Sequence, residues 1–298
     1  MTRGNAGKFA RSSNLGNRFR QGAVALVGVG ALVASLPAMA VSSVQAKGHD
    51  APISYLHFRD AGRTSHATSA GNLIDHGGKV LSASHTYTLF WGNSSAWATD
   101  VQSGIGSLFT GFNATPFLNT SAQYMRGAGI SSSFGGAKTD ATSPPSRVQP
   151  STLGTEIQKI YGTTLDPLGI YFVYTSNFPK SGSFCAWHSY ASVGGQSIAV
   201  AYMPNTAGVA GCDPGNLYSV TGSEGLRSLA NVTSHEFSEA ITDTLPATAT
   251  YGWIDSAGAE NGDKCAWTFS APVTLSNGSV WQLQQEWSNA ISGCAQTT

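Results

Sequence analysis

One stretch of the chain, from Ser223 to Thr242, constrains the fold most strongly. Its apolar residues recur at the three-to-four spacing of an amphipathic helix, and Pro246 forbids much extension beyond its end. These apolar residues are Leu226, Leu229, Val232, Phe237 and Ile241. Such a helix must bury one face, and the strand-like segments elsewhere predict an α/β (α+β) domain in which a mixed sheet packs on helices.

The same stretch places acid–base chemistry on one side of the predicted helix. Residues four apart stack on one face, so His235 and Glu239 are able to hold one ion while Glu236 reaches water bound to it. This is the arrangement of H-E-x-x-H metallohydrolases with a carboxylate replacing the second imidazole. Glu236 would then take a proton from the water and return it to the leaving group.

A third ligand is needed, and acids that follow the helix are the candidates. We predict Glu260 as the ligand and Asp263 as the residue that supports the site, with Asp255 as the substitute for either. Zinc is the first expectation for the cation. Calcium or another divalent cation is the alternative, because oxygen-rich ligand sets suit several metals, and the glycine-rich surroundings also fit a calcium-stabilised loop.

Two further residues were weighed for the site. Asp243 shares the helical face, but it lies about 12 Å of helix rise from His235, which is too far for one ion unless the helix ends early. His188 follows a tryptophan in a predicted strand, and it is a candidate to orient a group or stabilise an oxyanion. The simpler interpretation of His188 is a hydrogen-bonded strand histidine.

The first 46 residues are typical of a secretory signal. They hold five basic residues and no acidic one, and an apolar run over 23–36 precedes small-residue cleavage positions at Ala40 and Ala46. The run is shorter than the roughly 20 residues that span a bilayer. We therefore expect a secreted protein, extracellular, in the cell wall or in the periplasm, without a membrane anchor in its mature form. Residues 47–78 are predicted to form a flexible arm or a pro-segment before a domain over 79–298.

Charge and missing motifs narrow the partners. Loss of the signal leaves 11 basic against 16 acidic residues, a net charge of −5. Nucleic acids and anionic lipids are bound by basic patches, so this balance argues against both. The sequence also lacks the serine-hydrolase elbow, the phosphate-binding loop and the dinucleotide fingerprint. These absences do not exclude a glycosidase, since paired carboxylates leave little local signature. A peptide or protein substrate is the expectation, and the sequence does not indicate an oligomeric state.

Four cysteines follow the signal, and an even count in an exported chain favours two disulfides. Three pairings are possible. We expect the sequential pairing, Cys185 with Cys212 and Cys265 with Cys294, because each bond closes a loop of about 30 residues around one hairpin-like unit. Free thiols are the alternative, and a four-cysteine zinc site is disfavoured because the chain has no C-x-x-C pair.

The residue patterns also predict the remaining elements. Strands are predicted over 79–81, 86–91, 169–175, 184–190, 196–203 and 280–287. Helices are predicted over 95–112 and from Ser151 to Gly162. The glycine-, serine- and proline-rich residues 127–149 are predicted to be a long loop.

Several segments occur in the order found in a known family. They are residues 77–81, 89–92, 185–188, 199–202 leading to Cys212, 234–243, and the aromatic strand before Cys294. Over about residues 77–294 they resemble the EXORDIUM, or phosphate-induced protein (phi-1-like), family. The resemblance implies a secreted, cell-wall or extracellular protein. It implies little about a reaction, because the plant members are linked with growth and nutrient responses.

The chain differs from the plant members in its metal motif. Those members lack the His-Glu pair in the matching helix, whereas this chain has His235, Glu236 and Glu239 and resembles a microbial, zincin-like branch. We therefore predict a single zincin-like domain that acts as a secreted metal-dependent hydrolase, a zinc peptidase. The alternative is a non-enzymatic extracellular or cell-wall binding protein whose acids hold a structural cation or no metal.

Overall fold

The computed structural model describes residues 51–59, 71–180, 182–246 and 250–297. Its helices are α1 (Val101–Gly111), α2 (Pro116–Asn119), α3 (Pro150–Tyr161) and α4 (Glu224–Thr242). Its strands are β1 (Ser54–His57), β2 (Ile74–Asp75), β3 (Ala83–Trp91), β4 (Ser131–Asp140), β5 (Gly169–Thr175), β6 (Phe184–Val193), β7 (Gln196–Pro204), β8 (Trp253–Ile254), β9 (Val273–Thr274), β10 (Val280–Trp281), β11 (Glu286–Ser288) and β12 (Gly293–Ala295). The predicted signal, residues 1–46, lies outside the described residues. Among the described residues, no helix is both long and apolar enough to cross a bilayer.

Six strands form one mixed sheet in the order β1-β6-β7-β5-β3-β4. The strands from β7 through β5 and β3 to β4 run parallel, and β6 pairs antiparallel with both β7 and β1. Helices α1 and α2 lie in the connection from β3 to β4 and α3 lies in the connection from β4 to β5, whereas β6 lies between β5 and β7. The mixed sheet packed on helices confirms the predicted fold class.

Helices cover both faces of this sheet. On one face α1 and α4 pack through a large apolar core that includes Ile105, Leu229 and Phe237. On the other face α3 packs through a second core that includes Leu153 and Ile157. Successive residues of a strand point to opposite faces, so Ala186 of β6 joins the α4 side and Trp187 joins the α3 side. His188 therefore faces α4.

Helix α4 is the central element, and its prediction over Ser223–Thr242 is confirmed. The Ser223 side chain caps it by accepting a hydrogen bond from the Leu226 amide at 3.1 Å. Asp100 holds the cap by accepting two 2.7 Å hydrogen bonds from the Ser223 amide and hydroxyl groups. Apart from Arg227, the residues of α4 from Gly225 to Thr242 are buried. A helix buried on nearly all sides is held in place by contacts with the elements that surround it.

The predicted loop over 127–149 is wrong in part, because it contains the ten-residue strand β4. Its glycines and serines have low β propensity, so the residue pattern does not indicate a strand. Backbone pairing places it in parallel register with β3, from Ala83 opposite Ser131 to Trp91 opposite Asp140. The Thr86 hydroxyl adds a hydrogen bond to the Ser133 carbonyl at 3.2 Å.

Two other segments also differ from expectation. The predicted strand over 280–287 is broken, because only Val280–Trp281 and Glu286–Ser288 pair, each with a different short partner. The side chains between them, Gln282 and Gln284, bond other parts of the chain instead of continuing a ladder. Within the predicted arm, Ser54–His57 is not a free segment, since it forms the edge strand β1 beside β6.

Both disulfides form in the predicted sequential pairing. Cys185 is bonded to Cys212 and Cys265 is bonded to Cys294, and the described residues include no free cysteine. The first bond ties β6 to the loop before α4. The second ties the loop after β8 to β12, so each bond anchors a segment that carries a predicted site residue.

Candidate metal centre

Three elements bring the predicted site residues to one place beneath the sheet. Helix α4 supplies His235, Glu236 and Glu239, all fully buried. Strand β6 supplies His188, which is also fully buried and faces the helix. The loop after β8 brings acids to the same side of α4, and the loop between β10 and β11 closes the other side. The structure therefore brings this helix together with two of the predicted acids that follow it, Glu260 and Asp263.

One group of possible ligands consists of His235, Glu239 and Asp263, which we call the outer position. His235 Nε2 lies 3.2 Å from Glu239 Oε1 and 3.9 Å from Asp263 Oδ1. The Asp263 amide donates a 2.9 Å hydrogen bond to the same Glu239 oxygen, which fixes the loop against the helix. The side chain of Asp263 is 28% exposed, so this position faces solvent.

A second group consists of His188, Glu236 and Glu239, which we call the inner position. His188 Nδ1 lies 3.2 Å from Glu236 Oε2 and 3.4 Å from Glu239 Oε2. The other ring nitrogen, Nε2, lies 3.5 Å from Glu260 Oε1. Glu239 is thus common to both positions, with one carboxylate oxygen directed to each.

The spacing of these atoms suits a small divalent cation. Zinc lies about 2.0–2.2 Å from nitrogen and oxygen ligands, so two ligands at the tetrahedral angle are about 3.4 Å apart. The separations of 3.2 Å from His235 to Glu239, 3.4 Å from His188 to Glu239 and 3.9 Å from His235 to Asp263 fall close to this value. Small side-chain adjustments would bring either group into contact with one ion.

Unsatisfied polar atoms are concentrated at the same place. Buried polar atoms normally have hydrogen-bond partners, and each exception requires an explanation. Among the described residues, buried side-chain atoms without such a partner include His188 Nε2, His235 Nε2, Glu236 Oε1, Glu239 Oε2, Asp243 Oδ2, Glu260 Oε1 and both oxygens of Glu286. A bound cation would satisfy several of these atoms together.

His235 and Glu239, at the outer position, shift each other's pKa values strongly in opposite directions. Burial alone would lower the pKa of His235, but Glu239 and then Glu236 outweigh it and raise that pKa to about 10. Burial alone would raise the pKa of Glu239, but the charge of His235 outweighs it and lowers that pKa to about 2. A cation bound at His235 must displace the imidazole proton, so ion binding releases protons here.

For the other carboxyl groups, the effect of burial on the pKa is not outweighed by nearby charges. Burial raises the pKa of Glu236 to about 7 and that of Asp243 to about 7, and it also raises the pKa of Glu260. Burial raises the pKa of Glu286 well above its usual value. These acids are therefore kept partly protonated unless positive charge is brought to them.

In the part of the chain that the structure describes, lysine and arginine side chains do not supply that positive charge. Six carboxyl groups act on one another here, those of Glu236, Glu239, Asp243, Glu260, Asp263 and Glu286. Within the described ranges, no lysine or arginine forms an ion pair with any of them, and their basic neighbours are His188 and His235. Burial of uncompensated charge is costly, so the cluster is set up to receive a cation or to retain protons.

The two predicted acids of the loop occupy each other's expected places. Asp263, predicted to support the site, completes the group with His235 and Glu239. Glu260, predicted as the third ligand, lies instead beside His188. Asp255, the predicted substitute, points away and forms a 2.8 Å ion pair with buried Lys264. One turn of 3-10 helix over Asp263–Cys265 turns the Asp263 side chain toward α4.

Three residues that shape the site have no clear signal in the sequence. Glu286 is buried near His235, but it lies far from the helix motif in the chain, so the motif does not indicate its place in the site. Gly262 packs so closely that an added Cβ would lie 2.7 Å from His235 Nδ1 and 2.9 Å from Glu239 Oε1. Gln284 completes the set, since its side chain contacts His235 directly. A Glu-Asn-Gly-Asp run was visible in the sequence, but the need for glycine follows only from this contact.

Gln284 determines which nitrogen of His235 faces the carboxylates. Its amide group lies 2.9 Å from His235 Nδ1 and 3.0 Å from the Gly262 carbonyl. Asn231, one turn earlier in α4, holds Gln284 by accepting its backbone N–H at 2.9 Å. Nε2 is therefore the nitrogen left for an ion. The amide oxygen of Gln284 accepts the Trp267 backbone N–H at 3.3 Å, so the amide nitrogen is the atom that faces the ring.

Strand β1 closes one side of the site. Ser54 is the pairing partner of His188 in the sheet, and its side chain opposes the effect of burial on the pKa of Glu260. The Trp267 indole donates a 3.1 Å hydrogen bond to the His57 carbonyl, which links β1 to the loop that carries Asp263. Of the three residues at the outer position, Asp263 is the one whose side chain is partly exposed.

Comparisons with known proteins add no family to this geometry. The sequence matches no family model, no curated protein and no solved structure. The resemblance to EXORDIUM proteins thus depends on the segments of the chain itself. The chemistry of the site is inferred from its own residues.

Proposed function

We propose that this protein is a metal-dependent hydrolase, with a zinc peptidase as the specific form. The observation that carries the proposal is the convergence of His235, Glu239 and Asp263 at the outer position. A nitrogen and two carboxylates leave one place of a four-coordinate ion open, as in catalytic zinc sites. An ion held there supplies a Lewis acid and lowers the pKa of water.

Each residue of the motif has a role in this proposal. His235 and Glu239 on the helix and Asp263 on the loop hold the cation. Glu236 is the acid–base group, because burial raises its pKa to about 7 and one of its oxygens has no hydrogen-bond partner. His188 contacts Glu236 at 3.2 Å and orients it. In this proposal His188 positions Glu236 and does not itself touch the substrate.

Export and family stand as parts of the same proposal. Two disulfides suit an oxidising environment, and the basic, apolar first 46 residues suit a cleaved signal. We propose an extracellular or cell-wall location on this basis. The segments similar to EXORDIUM proteins support the same location, and the His-Glu pair supports the zincin-like branch.

A structural cation in a non-enzymatic binding protein is the second candidate. One observation favours it, since His188, His235, Glu236 and Glu239 are all completely buried. Structural metal sites are closed, whereas catalytic sites keep an open position for water. The exposure of Asp263 at the outer position is the point that favours catalysis.

Metal content and hydrolysis of the Glu236→Gln variant distinguish the two candidates. The purified protein, loaded with zinc, is assayed on unfolded proteins and peptide mixtures by mass spectrometry. A catalytic site predicts that the variant keeps the ion at the outer position and loses at least about 100-fold in rate, as expected when a general base is removed. Absence of hydrolysis by the zinc-loaded wild type would leave the structural cation as the function.

Glu156→Gln is the matched control. Glu156 is a glutamate that is 5% exposed, but it lies in α3 on the opposite face of the sheet and bonds Lys159. This variant is expected to keep both the metal and the rate of the wild type. An equal loss of rate in both variants would trace the effect to folding and not to the site.

A further inference from the structure

The two ligand groups of the cluster share one carboxylate. Glu239 Oε1 faces His235, and Glu239 Oε2 faces His188. A carboxylate with one oxygen directed to each of two ligand sets is the bridge of two-ion centres, in which the ions are about 3.5–4 Å apart. The outer position alone does not explain why the inner atoms converge on the far side of Glu239.

We infer that the centre holds two divalent cations bridged by Glu239, one at the outer and one at the inner position. This inference extends the proposed function, which requires only the outer ion. The inner ligands are His188, Glu236 and the second oxygen of Glu239. All three residues are fully buried, and Glu236 Oε1 and Glu239 Oε2 lack hydrogen-bond partners.

The orientation of His188 supports an inner ligand set. Its Nδ1 lies 3.2 Å and 3.4 Å from the Glu236 and Glu239 oxygens, and its Nε2 lies 3.5 Å from Glu260 Oε1. A metal-bound imidazole normally donates its other N–H to a carboxylate, which fixes ring and tautomer. Glu260 is placed to accept the Nε2 proton, and Nδ1 is then free to bind an ion. The same geometry gives Glu260 a role that the outer position does not.

The charge of the cluster also favours two ions. If all six carboxyl groups ionise, one divalent cation with neutral imidazoles leaves a charge of about −4 in a buried region, while two cations leave about −2. The second ion thus halves the uncompensated charge. Asp243 interacts with His188 and Glu286 interacts with His235, but neither acid belongs to either ligand group.

The second ion would change the role of Glu236. With the outer ion alone, Glu236 is a free acid–base group. With both ions, its Oε2 is directed to the inner ion and its Oε1 remains available on the same side chain. Glu236→Gln therefore removes hydrolysis in both cases, but it lowers metal content only in the two-ion centre.

Metal stoichiometry tests the inference without reference to activity. The full disulfide-bonded chain is equilibrated with buffered zinc, and bound ions are counted by inductively coupled plasma mass spectrometry and by competitive titration. Two ions per chain are expected for the wild type and for Glu156→Gln. Asp263→Asn, His188→Gln and Glu236→Gln are each expected to keep one ion, and Glu239→Gln is expected to keep none.

A wild type that saturates with one ion overturns the inference and leaves the proposed function intact. Unchanged stoichiometry in both His188→Gln and Glu236→Gln also overturns it. Manganese loading gives a second readout, since two ions on one carboxylate show exchange coupling in electron paramagnetic resonance. A coupled signal in the wild type that is absent in Asp263→Asn supports the bridge, and circular dichroism of each variant shows whether it has folded.

Discussion

Buried Asp255 and the buried acids around Glu239 lie near the same loop, and they are neutralised differently. Asp255 is almost fully buried, accepts hydrogen bonds from two backbone amides, and pairs with Lys264 at 2.8 Å. Lys264 also lies 4.3 Å from the ring centre of Trp287. The ion pair of Asp255 with Lys264 is complete without any ligand.

The acids around Glu239 present the opposite case. They have two imidazoles for partners, and several of their oxygens make no hydrogen bond. The comparison shows that the chain is able to place a lysine against a buried carboxylate, and that in this cluster it does not. A buried acid with its own cation contributes to the fold, whereas an acid without one indicates a place for a ligand.

The largest expected effect is at the ion pair of Asp255 with Lys264. Lys264→Met leaves Asp255 buried and unpaired, which is expected to destabilise the protein by about 3–5 kcal/mol. The pKa of Asp255, which burial raises, is lowered overall by Lys264. The pair thus stabilises the fold above pH 3.8, the ordinary pKa of an aspartate, and its contribution is lost as pH falls through the lower pKa of the folded state. Urea unfolding at pH 7 and pH 3 measures both effects.

The double variant Asp255→Asn with Lys264→Met is the control for this prediction. It removes both charges, so it is expected to recover part of the stability lost in the single variant. Metal content should be unchanged in both. If Lys264→Met lost its metal while remaining folded, the Asp255–Lys264 pair and the metal centre would not be separate regions.

Metal removal is the next largest effect. A ligand present at 100 times its Kd stabilises a fold by about 2.7 kcal/mol, which corresponds to roughly 5–10 °C in a domain of this size. A chelator is therefore expected to lower the Tm of the wild type and of Glu156→Gln by this amount. Glu239→Gln, which lacks the shared ligand, should show no response. Scanning calorimetry with and without chelator gives the result, and an unresponsive wild type would contradict it.

Gly262→Ala sharpens the comparison at the contact between loop and helix. The added Cβ would lie within 2.9 Å of three atoms of His235 and Glu239, so the loop must move away from α4. We expect a loss of about 1–3 kcal/mol and weaker metal binding. Gly106→Ala in α1 is the control, because its Cβ meets nothing closer than 3.5 Å and alanine favours a helix by about 1 kcal/mol.

The smallest predicted effect concerns Gln284, which holds His235 from behind. Gln284→Leu removes the group that orients the ring, so zinc affinity is expected to fall about 10–100-fold with little loss of secondary structure. Gln285→Leu is the neighbouring control, since its side chain bonds the Cys294 carbonyl and not the site. Equal affinities in the two variants would show that Gln284 does not position His235.

The sequence predicts those parts of the structure that depend on local pattern. Helix α4 has a cap, a regular apolar spacing and a proline after its end, so both of its limits were predictable. The partners of Glu239 depend on loop geometry. Glu260 and Asp263 are three residues apart in the chain, and only the turn over Asp263–Cys265 decides which of them faces His235. Strand β4 was missed for a similar reason, because pairing across the sheet holds it.

The two disulfides have a consequence for the site that concerns redox conditions. Cys185 lies three residues before His188, and Cys265 lies two residues after Asp263. Each covalent link therefore immobilises one wall of the cluster, the first on the strand side and the second on the loop side. Thiol reduction would loosen both walls while α4 stays in place, so the affinity for a cation should depend on whether the compartment is oxidising.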